Sequence, residues 1–137
     1  MPLLFDEDYE ILAEAGLLIS EDENARTLVF ENFPLPPGMY VDNAAAPLLT
    51  ARILYIIPPN YNTSGGDMFW THPPLSRADG QGIPAKGGGD VRVFSGVTFE
   101  RWSRHWHRVA WRPKVDNIRT IVDRLTWALE HPNAQRS

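Results

Sequence analysis

Ser103 stands two residues before His105 and four before His107, inside the stretch Arg101-Trp102-Ser103-Arg104-His105. A serine hydroxyl becomes a useful nucleophile when a base within hydrogen-bond reach takes its proton, and these two histidines are the only nearby side chains able to do so. Two geometries fit. In a helix, residues i and i+4 share a face, which selects His107. In an extended chain, residues i and i+2 share one, which selects His105. The sequence alone leaves both open. There is no cysteine anywhere in the chain, so disulfides, thiolate metal sites and thiol catalysis are excluded. If this segment is a reaction centre, its nucleophile is an oxygen.

Other residues around it have plainer readings. Trp102, Trp106, Trp111 and Trp127 are expected as core or groove wall, because large aromatics dominate burial. Arg101, Arg104, Arg108 and Arg112 suit a solvated rim, or a grip on a carboxylate or an acidic partner surface. Gly87-Gly88-Gly89 lacks the lysine-serine/threonine pair of a phosphate loop. The four histidines lack the spacing with carboxylates that builds a metal shell, and no cofactor is expected.

The 137 residues fit one domain by length. The net charge of −4 is unevenly spread. Residues 1–31 hold nine acids and one arginine, whereas residues 101–137 hold eight Lys/Arg, three acids and four of the five tryptophans. The basic end suits an acidic or polar partner. Nucleic acid is not expected, since acids interrupt the arginines and the whole chain is acidic. No apolar run approaches the roughly 20 residues of a membrane span. The acidic N-terminus is unlike a signal peptide, and a cytoplasmic protein is expected.

Several elements must position the serine. Asp8 to Ala15 reads as a short helix stopped by Gly16. Thr27 to Phe33 is strand-like, ended by Pro34-Leu35-Pro36-Pro37-Gly38. In Leu48 to Ile57, the residues Leu49, Ala51, Ile53, Tyr55 and Ile57 alternate onto one face. Asp67 to Thr71 is a short aromatic strand stopped by Pro73-Pro74. Residues 75–90, with five glycines, read as a loop. Val91 to Phe94 and Val97 to Phe99 suit a hairpin. From Pro113, the residues Val115, Ile118, Val122, Leu125 and Leu129 form a helical stripe, with proline at the first turn and His131-Pro132 at the end. Helix, antiparallel strands, irregular segment and helix make an α+β layout.

That order resembles the ubiquitin-conjugating (UBC) fold: N-terminal helix, antiparallel meander sheet, irregular active-site segment and C-terminal helix. In that family a strand ends in His-Pro-Asn, the nucleophilic cysteine comes later, and a tryptophan follows it by eight positions with a proline two further on. Trp111 and Pro113 match that pair, and eight positions back from Trp111 is Ser103. The tripeptide position falls on His72-Pro73-Pro74; a literal His-Pro-Asn at 131–133 follows the last helix and reads as coincidence. The closest likeness is to prokaryotic family E of these enzymes. It rests on Pro36 to Gly38, Asp67 to Phe69, Pro73 to Gly80, Trp102 to His105 and Trp111 to Asp116, across about residues 26–130.

The resemblance implies a transferase that receives a ubiquitin-like protein from an activating enzyme and passes it to a target protein. Ser103 would carry the acyl group as an oxyester, and His105, which belongs to the shared segment, would be the base. His107, His72, Arg104 and Trp111 are expected in support. Pro74 stands where the family places the asparagine that holds the oxyanion, so another donor is needed, an arginine or a backbone N–H near Ser103. The long segment between His72 and Ser103 would bring Arg77, Asp79 or Lys86 over the centre. A role in antiphage defence would follow from the genes that accompany such proteins. The alternative is a non-catalytic UBC-like adaptor, motivated by the missing cysteine and asparagine.

Overall fold

The structure is a computed structural model that describes residues 2–106 and 110–136. Helix α1 (Asp6–Glu14) begins two residues before the expected start. The Asp8 carboxylate accepts from the Phe5 amide at 2.9 Å, satisfying a donor that the helix leaves orphaned. Gly16, at φ +70°, ends the helix region as expected.

The strands are β1 (Ile19–Asp22), β2 (Thr27–Pro34), β3 (Tyr40–Val41), β4 (Thr50–Ile56), β5 (Phe69–His72), β6 (Ser76–Arg77), β7 (Arg92–Phe94) and β8 (Val97–Trp102). Six form one antiparallel sheet in the order β1-β2-β4-β5-β8-β7, while β3 and β6 pair separately. The expected strands and hairpin are present with shifted ends. Sequence patterning misses β1, β3 and β6. Strand β1 is short and acidic and is held by its pairing with β2. Strands β3 and β6 have two residues each, too few for any period, and β6 lies in the segment read as loop.

Strand β4 is buried on both faces. Ala51, Ile53 and Tyr55 join the main core beneath the helices. Leu54 joins a second cluster with Val29, Trp70 and Phe99 on the other face. The sheet curls to cover that second cluster, and residues from the β1–β2 turn (Glu21 to Asn24) and from β7 onward (Val93 to Ser95) line a common hollow despite lying at opposite ends of the strand order. Leu49, expected on the core face, is exposed because it precedes the strand.

Helix α2 (Ile118–Glu130) starts five residues later than the proline suggested. Residues 112–116 form a turn instead, with Lys114 at φ +60°, a left-handed value that no helix continues through. Val115 is therefore exposed, outside the stripe. The buried face is Ile118, Ile121, Leu125, Ala128 and Leu129. The Asn117 side chain caps the helix by accepting from the Arg119 amide at 2.9 Å. Among the described residues, no helix is long and apolar enough to cross a membrane.

Candidate functional site

Ser103 directly follows β8, and its neighbours settle which of the two geometries the segment adopts. Trp102, Arg104 and Trp106 are buried, whereas Ser103 and His105 are partly exposed. The amides of Ser103 and His105 both point to the same edge. The first donates to Ala85 O at 3.0 Å and the second to Gln135 O at 3.0 Å. A two-residue alternation of burial and of N–H direction is that of an extended chain. His105 therefore shares a face with Ser103. His107 lies outside the described residues.

The strand edge beside Ser103 is sealed. On one side β5 pairs with β8, Phe69 opposite Trp102. On the other, the Gly87 amide donates to Arg101 O at 2.7 Å, so residues 85–87 run alongside β8. The C-terminal residues continue that edge, with Arg136 bridged to His105. This is the segment expected to fold over the centre. It packs beside Ser103 through backbone bonds, and its charged side chains are engaged elsewhere. Lys86 pairs with Glu100 at 2.9 Å, and Arg77 holds Asp79 and Asn133.

The His105 ring turns its Nδ1 to the Asp67 carboxylate at 3.3 Å. Asp67 precedes β5, and nothing in its local sequence marks it as a histidine partner. A carboxylate at Nδ1 favours the tautomer with its proton there, leaving the lone pair on Nε2. The carbonyl of Asp67 also accepts from the Trp106 indole at 3.0 Å, so one residue anchors two members of the segment.

Arg104 is not a solvated rim residue. It is fully buried, lies over the Trp102 ring, and donates to the carbonyls of Pro84, Ser103 and Pro132 at 2.8–3.0 Å. Burial holds its pKa below the ordinary arginine value. The guanidinium ties the flanking segment, the serine strand and the C-terminus together. The His-Pro-Asn at 131–133 thus lies beside this segment, with Pro132 O on Arg104 and the Asn133 side chain on Arg77. Trp111 is partly buried against the main core and donates to Asn62 O at 2.8 Å.

His72 is not brought to Ser103. Thr71 pairs with Glu100 and Phe69 with Trp102, so His72 lies at the far end of the β5–β8 ladder. At about 3.4 Å per residue, that separates it from Ser103 by more than about 10 Å. Its Nδ1 faces Thr98 O at 3.3 Å, and with Pro74 it lines a different hollow of about 620 Å³ beside Gly87 to Gly89.

The description "Prokaryotic E2 family E" belongs to a family model that matches residues 4–132. The chain belongs to prokaryotic E2 family E. Membership supports a ubiquitin-conjugating-like role and, with it, interaction with a ubiquitin-like protein and an activating enzyme. The two helices flanking a curled antiparallel sheet agree with an E2-like fold. No curated protein and no solved structure matches this family E chain.

Proposed function

We propose that the protein accepts the C-terminal acyl group of a ubiquitin-like protein on the Ser103 hydroxyl and passes it to a target amine. The observation that carries this reading is the common face of Ser103 and His105 on one extended segment, with the His105 ring turned by Asp67. The acyl donor is the activated carbonyl held by an activating enzyme. Ser103 Oγ bonds to the carbonyl carbon while His105 Nε2 takes the hydroxyl proton. The bond to the activating group breaks, and that group leaves with its electron pair. In the second half, the target amine nitrogen bonds to the ester carbonyl carbon, the bond to Ser103 Oγ breaks as that oxygen takes the proton held by His105, and the surplus proton of the nitrogen passes to the freed His105 Nε2. Base assistance is essential because a serine hydroxyl, unlike a thiol, is not measurably ionised at neutral pH.

The test is reconstitution with activating enzyme, ubiquitin-like protein and ATP. The expected product is a covalent adduct that survives thiol reductant and is cleaved by strong base. An undiminished adduct in Ser103→Ala would remove the reading. The adaptor reading is favoured by one observation, the distance of His72 from Ser103 along the β5–β8 ladder, which leaves the histidine of the family's tripeptide position away from the serine. It requires normal conjugation in cells carrying Ser103→Ala, whereas the acyl-carrier reading requires its loss.

A further inference from the structure

The face that carries Ser103 and His105 also carries Arg101. In the β5–β8 ladder Arg101 pairs with Trp70, and Trp70 belongs with Phe99 to the second cluster. Phe99, Arg101, Ser103 and His105 are therefore successive positions on one side of one chain. Arg101 and Ser103 are two residues apart, about 7 Å along a strand, within reach of a guanidinium on its flexible stem.

The Arg101 guanidinium is weakly committed. Its contact to Asp90 is 3.5 Å, longer than a charge-assisted hydrogen bond. Asp90 is shared with Arg92 at 3.6 Å, so two cations face one carboxylate and a positive charge is left over. The Arg101 Nε is buried and has no acceptor among the described residues, a costly arrangement for a donor. The chain also makes room for this group. Gly88, at φ +86°, lies where a Cβ would come within 2.9 Å of Arg101 Nη2.

We propose that Arg101 is the catalytic residue that receives the charge developing on the acyl carbonyl oxygen, a role that the tripeptide's His72, at the far end of the β5–β8 ladder, does not reach. The inference rests on the acyl-carrier reading of Ser103. When Ser103 Oγ bonds to the carbonyl carbon, the carbonyl π pair moves onto oxygen. Its return expels the activating group in acylation, or the serine oxygen in transfer to the amine. Arg101 flanks Ser103 on the side opposite His105; its guanidinium rests toward Gly88 and Asp90 and would swing along this face to meet the acyl carbonyl. A cation brought to a developing oxyanion stabilises the transition state more than the ground state.

Single-turnover acylation, started by mixing the protein with charged activating enzyme, tests this, with binding to that enzyme measured separately. Arg101→Gln should slow acylation by about a hundredfold, the usual effect of losing one oxyanion donor, with binding unchanged. Arg101→Lys should recover part of the rate. Circular dichroism identifies any variant that fails to fold, and the remaining variants then decide. Acylation within twofold of wild type in folded Arg101→Gln, while Ser103→Ala abolishes the adduct, would overturn the role of Arg101 and leave the serine reading standing. A loss confined to binding, with normal rate at saturation, would also overturn it. An adduct that persists in Ser103→Ala would instead overturn the serine reading, and this inference with it.

Discussion

His105 Nδ1 stands 3.3 Å from the Asp67 carboxylate, across the junction between the start of β5 and the end of β8. Both side chains are partly exposed, 36% and 58%, so the pair adds little to stability. Its consequence is orientational, because a ring held at one nitrogen presents the other in a fixed direction.

Asp67→Asn should therefore impair chemistry and leave folding intact. An amide can donate to Nδ1 and so favour the opposite tautomer. We expect acylation of Ser103 to slow by about tenfold, equivalent to about 1.4 kcal/mol of barrier. The unfolding midpoint should move little. A rate equal to wild type would show that Asp67 does not set the His105 ring.

Arg104 makes the opposite prediction. Its guanidinium serves three carbonyls in a buried site. Arg104→Ala leaves those acceptors without donors and opens space beneath Trp102, at a cost of about 3 kcal/mol. Arg104→Lys should recover only part, since an ammonium cannot reproduce the planar fork. Urea titration measures both. A small loss in Arg104→Ala would mean that the junction of Pro84, Ser103 and Pro132 is held by other contacts.

These contrasts show where the sequence is informative. Strands β2, β4, β5, β7 and β8 and the second helix announce themselves by pattern, whereas Ser103 is singled out only through the resemblance, by its offset from Trp111. Asp67 and the buried state of Arg104 do not, because each depends on pairing between segments distant in the chain. An arginine among arginines reads as rim, yet the two-residue alternation of an extended segment turns Arg104 inward beside Trp102. His72 shows the converse. Its tripeptide is legible, but the β5–β8 register carries it away from the serine. Pro113 suits a helix start in isolation, yet the Asp116 carboxylate holds a turn there by accepting from the Arg112 amide at 2.7 Å.

Asp8 joins the two helices. One carboxylate oxygen accepts from the Tyr61 hydroxyl at 2.8 Å and the Ile118 amide at 3.0 Å, and the other from the Phe5 amide. It thus serves the N-termini of both α1 and α2, where negative charge is favoured. Asp8→Ala should cost about 3 kcal/mol by stranding buried donors. Asp8→Asn should cost less, because its carbonyl oxygen can still accept. Equal losses for the two variants would point to packing rather than to the hydrogen bonds.

Asp116 gives a stability change with pH. Burial raises its pKa, but hydrogen bonds from the Arg112 amide and side chain and from Thr120 outweigh that and hold it below the ordinary carboxylate range. A pKa depressed by folding contributes stability above the unfolded value, near 3.9, and that contribution is lost as pH falls through the folded value. Glu31, lowered chiefly by its hydrogen bonds from Arg52, acts with the same sign. The protein should therefore lose stability as pH falls below about 4. In Asp116→Asn, stability should be lower at neutral pH by about 1 kcal/mol, and its decline on acidification shallower. Urea unfolding of both proteins between pH 3 and pH 7 measures the difference, and parallel curves would show that ionised Asp116 does not hold the turn before α2.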